Sequence, residues 1–117
     1  VADKVIPKVA LLAPPRAGGA VTSRYFVPHK THAAHAVTGA LCVATCCALE
    51  GSVAEGIAVM PPGEDREVVI EHPSGVFSVA LKTTGKGAAM DVAGGVIRTA
   101  RKIMDGHVFV PAAAFAG

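Results

Sequence analysis

The stretch 32–49 constrains the fold most strongly, because it is built almost entirely of alanine, valine, leucine and cysteine. A helix that is apolar on every side must be surrounded by protein or by lipid. At roughly 18 residues it approaches the ~20 needed to cross a bilayer, but two histidines, two threonines and many alanines make it a poor span. We therefore predict a helix between residues 31 and 49 that opens with Thr38-Gly39, has Gly51 as its C′ residue and is sheathed by β-structure.

The composition is that of one globular domain covering residues 1–117. Hydrophobic residues make up 51% of the chain, whereas aromatic residues make up 4% and tryptophan is absent. The core is thus expected to consist of alanine, valine, isoleucine and leucine. The net charge of +2 arises from 11 basic and 9 acidic residues without a basic run, which argues against a nucleic-acid surface.

All three cysteines, Cys42, Cys46 and Cys47, lie within the predicted helix. Such a cluster does not resemble a disulfide framework, so we expect a reducing, cytoplasmic compartment and cysteines packed as small apolar side chains in a tight core. The first residues also lack the pattern of a signal peptide. His35 and Cys42 would stand about 10 Å apart along a helix, too far for shared zinc ligation, and no metal site is expected.

The remaining sequence predicts about six strands and no internal repeat: 5–13, 21–27, 67–72, 76–83, 90–99 and 107–110. The turn 73–75 should join the third and fourth strands as a hairpin, and Gly94 with Gly95 should mark a bulge or a close backbone approach. A single helical turn is predicted over 100–105. Because strands and helices do not alternate, the fold class is α+β rather than a doubly wound sheet.

A sheet curled around one apolar helix fits this pattern. Six strands would barely close around a helix of about 10 Å diameter. We therefore expect a partial barrel, completed by strands from chain outside this sequence or from a partner.

Thr38, Gly39 and Ala40 form the first candidate functional site. The free N–H groups of a helix start can hold an anion, and glycine lets a carboxylate approach them closely. The alternative is that Thr38 lies inside a longer helix beginning at Thr31, with Gly39 serving close packing.

Four cationic or titratable side chains precede this segment: His29, Lys30, His32 and His35. They could supply positive charge to a carboxylate-binding cleft. His29 and Lys30 are equally explained as surface residues of a loop. His35 is better explained as a histidine satisfied in the core or at its boundary.

Three motifs carry a resemblance to a known family. They are Ala-Val-Thr-Gly-Ala-Leu-Cys at 36–42, Glu-His-Pro-Ser-Gly at 71–75 and the tail Ile-Arg-Thr-Ala-Arg-Lys-Ile-Met-Asp-Gly-His-Val-Phe-Val-Pro at 97–111. From Pro7 to Pro111 the chain resembles the C-terminal part of the PrpF family, whose members are considerably longer. The resemblance implies a diaminopimelate epimerase-like fold: two domains, each a β-barrel around a central helix, with the active site between them. This chain would supply most of the second domain.

The family resemblance also implies an activity. PrpF-like proteins are cofactor-independent isomerases or tautomerases that move a proton, by 1,3-allylic or keto–enol transfer, on small unsaturated di- or tricarboxylates. Their catalytic cysteine lies in a Gly-Asn-Cys-Gly-Asn-like motif of the first domain, assisted by an upstream lysine, and no such motif occurs here. Epimerase relatives carry a second cysteine just before Thr-Gly, where this chain has Val37. No catalytic residue is therefore assigned, and we expect the chain alone to be inactive.

By the same resemblance, the Ser74 hydroxyl and the Gly75 N–H would face the cleft between the domains and join the substrate-carboxylate site. The alternative is an ordinary turn at 72–75. Arg98 and Arg101 could bind a carboxylate, although a role in pinning the C-terminal segment is the better explanation.

The implied partners are a small di- or tricarboxylate, an N-terminal domain missing from this chain and, through open sheet edges, a second copy. Two other hypotheses about the function of the chain remain open. The chain could be a non-catalytic binding or dimerisation domain, or one chain of a two-chain enzyme. Neither membrane nor nucleic acid is expected as a partner.

Overall fold

A computed structural model describes residues 6–27, 29–111 and 114 of the chain. Five strands and one helix follow in the order β1 (Val9–Ala13), β2 (Val21–Phe26), α1 (Val37–Ala48), β3 (Asp65–His72), β4 (Gly75–Thr84) and β5 (Asp91–Val96), with a 3₁₀ turn at Gly87–Ala89. The strands form a single sheet in their sequence order. The predicted α+β class is thus confirmed.

The sheet consists of two antiparallel parts that meet at a short parallel seam. β1 pairs with β2, and β3, β4 and β5 form a meander joined by the predicted hairpin turn. Between β2 and β3 only Val21↔Ile70 and Thr22↔Glu71 are paired. The Ala20 N–H adds one bond of 2.8 Å to the Val69 carbonyl.

Helix α1 crosses from β2 to β3 and lies against one face of the sheet. Its buried positions are small, namely Gly39, Ala40, Val43 and Ala44. They pack on a layer of larger aliphatic side chains from β2, β3 and β4, of which the fully buried ones are Val21, Val68, Ile70, Val79 and Leu81. An aliphatic core is therefore confirmed, with Phe77 and Tyr25 as its aromatic members.

The helix lies between residues 31 and 49 and begins at Val37, one residue before the predicted opening at Thr38, whereas the alternative of a longer helix from Thr31 is wrong. Ala36 is the N-cap, and residues 32–36 lie outside the helix with His32 and His35. At the other end Leu49 is the C-cap. Gly51, with φ of +72°, is the second residue beyond it rather than C′. Within the described residues no helix is long and apolar enough to cross a bilayer.

Two elements predicted for the C-terminal tail do not form. Residues 97–111 contain neither a helical turn at 100–105 nor a strand at 107–110, and they are exposed throughout. An isolated alternating segment cannot hold a strand without a partner, and no neighbouring strand is offered by the part of the chain that the structure describes.

The sheet is also not closed into a barrel: β1 and β5 are its two edges. No bulge interrupts β5, whose pairing with β4 is continuous. The close approach predicted there does occur, since a Cβ on Gly94 would lie 2.9 Å from the Leu41 side chain.

Candidate functional site

A cavity of about 360 Å³ opens beside the first turn of α1. We call it the helix-start cavity; its lining comes from the N-terminal segment, β1, β2 and α1, and consists of Ile6, Lys8, Ala10, Tyr25, Thr38, Gly39, Cys42 and Val43. Two of the residues predicted to bind an anion, Thr38 and Gly39, therefore line one concavity together with a lysine.

The start of α1 presents N–H groups that the helix itself does not use. The first intrahelical bond runs from the Ala40 N–H to the Ala36 carbonyl, at 2.8 Å. The N–H groups of residues 37–39 precede it, and no side chain caps them. The first turn also contains no acidic residue, so the positive end of the helix dipole is left for an external anion.

Ala40 does not share this role. Its N–H is already bonded within the helix, and its side chain is fully buried. The structure thus places Ala40 in the core, outside the helix-start cavity that Thr38 and Gly39 line.

Gly39 is also a packing residue. A Cβ at this position would stand 2.6 and 2.7 Å from carbons of the Tyr25 ring, closer than side chains pack without displacement. The structure therefore supports the alternative explanation of Gly39 as a residue that allows close packing. The same glycine lets the helix start lie against β2 and leaves its N–H groups accessible.

His35 is a core histidine, as its better explanation predicts. It is only 5% exposed, its Nε2 lies 3.2 Å from the Ser23 hydroxyl, and its ring stacks on Tyr25 at 4.8 Å. Burial lowers the pKa of His35; the bond to the Ala36 carbonyl opposes this shift, whereas His72 and His32 add to it. A neutral imidazole therefore fixes the loop before α1 against the sheet.

The hairpin turn after β3 is tied to the same loop. The Ser74 hydroxyl donates to the Ala33 carbonyl at 2.5 Å, and the Ser74 N–H donates to His72 Nδ1 at 3.2 Å. Ser74 therefore positions the turn beside the helix start, with its hydroxyl already engaged. Gly75 lies on the other side of the turn, in a second concavity.

That second concavity, of about 340 Å³, lies where β2 runs past the end of β3. We call it the arginine notch, and its lining residues are Arg16, Ala17, Thr22, Ser23, Arg24, Glu71, His72, Pro73, Gly75 and Val76. Sequence reasoning missed Arg16 and Arg24. Arg16 lies in the loop before β2 and Arg24 lies in β2. Both line the same concavity as His72 only because β2 pairs with β3.

Glu71 holds one wall of the arginine notch. Its Oε1 accepts from the N–H groups of Ala17 (2.7 Å) and Gly19 (2.9 Å), and its Oε2 accepts from the Arg16 N–H (2.7 Å) and the Thr22 hydroxyl (2.9 Å). The N–H groups of Arg16 and Gly19 contribute most to lowering the pKa of Glu71 to about 2. The carboxylate is a fully bonded anchor for the loop 14–19.

The cysteines are free and less buried than predicted. Cys42 is exposed and lines the helix-start cavity, so its placement in a tight core was wrong, while Cys46 and Cys47 are half-buried. Burial, with a smaller effect of Cys46, raises the pKa of Cys47 to about 11, which keeps it a thiol. Among the described residues no group of three or more His, Cys, Asp or Glu is placed to hold a metal ion.

The tail arginines differ from each other. The Arg98 guanidinium lies 4.9 Å from the centre of the Phe77 ring and so attaches the tail to β4, in line with its structural explanation. Arg101 is exposed, as are His29 and Lys30.

Comparison with known proteins gives a consistent result. The PrpF protein family model matches residues 1–111. The chain is 48% identical over 110 residues to a (4E)-oxalomesaconate Delta-isomerase of a Novosphingobium species, covering 94% of this chain. It is 42% identical over 113 residues to a 4-oxalomesaconate tautomerase of Pseudomonas putida, again covering 94% of this chain. In both cases the chain spans about 30% of the relative's length. This match over nearly the whole sequence shows that the chain belongs to the PrpF family.

Proposed function

We propose that this chain is the C-terminal portion of a cofactor-independent isomerase or tautomerase of small unsaturated di- or tricarboxylates, and that it contributes a substrate-carboxylate site. The relatives named as isomerase and tautomerase of oxalomesaconate support the reaction class. The observation that carries the site is the set of uncapped N–H groups of residues 37–39 beside a cavity that Lys8 also lines.

The chemistry needs such a site because moving a proton next to a carboxylate creates negative charge. Removal of an allylic or α-proton gives a dienolate-like intermediate whose charge spreads onto carboxylate or carbonyl oxygens. Preorganised N–H donors and a nearby ammonium group stabilise that charge as it develops. The cavity of about 360 Å³ is at the lower end of the range for small-molecule sites.

The groups that move the proton are proposed to come from outside this chain. His35 is neutral and buried, and the pKa of Cys47 is raised. Neither of them lines the helix-start cavity. The chain would hold the substrate, and the remaining protein would supply the acid and the base.

Lys8→Gln in the intact protein tests the carboxylate site, with 4-oxalomesaconate and cis- and trans-aconitate as substrates. Losing a charge-assisted hydrogen bond of about 1.5–3 kcal/mol should lower kcat/KM by about 10-fold or more, chiefly through KM. Lys8→Arg should retain more activity than Lys8→Gln.

Lys82→Gln is the matched control, because Lys82 is an exposed lysine on β4 whose partner is Asp65 at 3.5 Å. Unchanged kinetics in Lys8→Gln would contradict the proposed site. Isomerisation by the 117-residue chain alone would contradict the assignment of the proton transfer to the rest of the protein.

The open sheet edges favour association as a further role. Val9 and Leu11 on edge strand β1 are 49% and 58% exposed, and an unpaired edge accepts another strand. We propose that the remaining domain, or a second copy of the protein, covers this edge. Sedimentation of the intact protein over a range of concentrations distinguishes a monomer from a homodimer.

A further inference from the structure

We infer that the arginine notch is a second anion-binding site, for a small molecule bearing a carboxylate or phosphate group, separate from the helix-start cavity. The inference does not depend on the proposed isomerase activity. It rests on the short pairing of β2 with β3, on two arginines without an acidic partner among the described residues, and on the hydrogen bonds that already occupy Glu71.

The notch exists because the seam between β2 and β3 is short. Their pairing stops at Thr22↔Glu71, yet β2 continues to Phe26 while the chain after His72 turns into β4. A gap is left between Ser23 and Arg24 of β2 and the hairpin turn, because the segment with Thr31 and His32 bonds to β2 only from Tyr25 onward. Arg24 lines this gap from β2, and Arg16 lines it from the loop before β2.

Neither guanidinium has an acidic partner within the described residues. The ion pairs found there are Lys82–Asp65 and Lys102–Asp105, both remote from the notch. Glu71 lines the notch, but each of its oxygens already accepts two hydrogen bonds from the loop and Thr22. With two arginines against one carboxylate, the notch keeps a net positive charge.

The loop that carries Arg16 is held in place by the same carboxylate. The Arg16 N–H itself donates to Glu71 at 2.7 Å. Gly19 is required there, because a Cβ would lie 2.8 Å from the Glu71 Cγ and 2.9 Å from the Val69 carbonyl oxygen. The backbone beneath one arginine is therefore fixed before any ligand arrives, which lowers the entropic cost of binding.

His72 adds a third donor. Because its Nδ1 accepts the Ser74 N–H at 3.2 Å, Nε2 is the ring nitrogen that carries an N–H. The hydroxyls of Thr22 and Ser23 are already bonded to Glu71 and His35. Two guanidinium forks and one imidazole N–H match the oxygens of a carboxylate or phosphate, and a volume of about 340 Å³ suits a small ligand.

The notch and the helix-start cavity have no lining residue in common. Side chains alternate along β2: Ser23 and Tyr25 are buried, and Tyr25 lies against Gly39 of α1, whereas Arg24 is exposed. The two concavities are therefore distinct, and Arg24 lines only the notch.

Calorimetric titration of the intact protein tests the inference, with citrate and inorganic phosphate in separate experiments. Arg24→Gln and Arg16→Gln should each weaken one class of sites by about 10-fold or more. Arg101→Gln, which alters an exposed tail arginine, and Lys8→Gln should leave that class unchanged. Tighter binding of citrate would identify a polycarboxylate ligand, and tighter binding of phosphate a phosphorylated one.

Three results would overturn the inference. They are the absence of binding by either anion up to about 10 mM, binding that neither notch variant weakens, and binding that Lys8→Gln alone abolishes. Because Arg16 and Arg24 are exposed, both variants should fold, which an unchanged melting temperature verifies.

Discussion

At the scale of single residues, the structure separates the predicted site residues that line a cavity from those already bonded within the protein. Thr38 and Gly39 line a cavity at the start of α1. Sequence could predict their free N–H groups, because every helix start leaves its first N–H groups without an intrahelical partner. Ala40 and the Ser74 hydroxyl are already bonded within the protein. Sequence reasoning could not foresee Glu71 as an anchor, because its four donors come from residues about 50 positions earlier.

Glu71 should make stability depend on acidity. The pKa of its carboxyl falls from 4.5 to about 2 on folding, so the unfolded chain takes up the proton first as pH falls. The stabilisation is complete above pH 4.5 and is lost between pH 4.5 and about 2. Glu71→Gln should therefore have a lower Tm at pH 6, by about 5 °C or more, and a smaller further loss down to pH 3.

Thermal unfolding at pH 6, 4 and 3 measures this effect. Glu67→Gln is the control, since Glu67 is exposed on the same strand and should behave as the unmodified protein. Parallel losses of Tm in the Glu71→Gln variant and the unmodified protein would contradict the prediction.

At the scale of elements, the strong periodicities predicted β2, β3, β4 and the end of α1 to within about two residues, whereas the elements predicted at 100–105 and 107–110 did not form. Alternation located β2, β3 and β4, and Pro-Ser-Gly located the hairpin turn. The start of α1 was predicted to within one residue, whereas the alternative start at Thr31 follows from alanines at 33, 34 and 36 that continue the apolar pattern. A tertiary contact overrides that pattern: His35 bonds to Ser23 and stacks on Tyr25, holding this segment outside the helix.

Gly39→Ala should destabilise the protein although alanine favours helices. The gain in helix propensity is up to about 1 kcal/mol, whereas forcing a methyl group against the buried Tyr25 ring costs about 1–3 kcal/mol. With the full gain in helix propensity subtracted, we expect a net loss of up to about 2 kcal/mol in the free energy of unfolding, measured by urea denaturation.

Gly95→Ala is the matched control, because a Cβ at Gly95 meets no atom within 4 Å. It should leave stability nearly unchanged. A Gly39→Ala variant as stable as the unmodified protein would show that α1 can shift away from β2 at no cost.

At the scale of the whole molecule, the chain is more extended than a compact domain of its length. Its radius of gyration is 19.0 Å, against about 13 Å expected for a globule of this size. The tail 97–111 contributes to this extension, with Ile103 and Phe109 96% and 97% exposed. Apolar side chains exposed in this way are typical of surfaces that another part of a protein covers. A sequence pattern predicts that the tail is apolar but not which chain buries it.

Trypsin should therefore cut the 117-residue chain first in the tail, after Arg98, Arg101 or Lys102. These bonds lie in exposed backbone without secondary structure. Cleavage after Arg66, a half-buried strand residue bonded to Thr83 at 2.5 Å, should be slower. In the intact protein the tail should be protected, as mass spectrometry of the early fragments would show. Equal cleavage rates in both forms would contradict a covered tail.

The two-pair seam between β2 and β3 has a consequence for the order of folding. The β1–β2 and β3–β4 pairings each join strands close in sequence, so each can form early. Joining them at Val21↔Ile70 closes a loop of about 50 residues, an entropic cost that must be met before many contacts compensate for it. The seam is therefore expected to be the last part of the sheet to assemble, with Glu71 locking the two halves together once they meet.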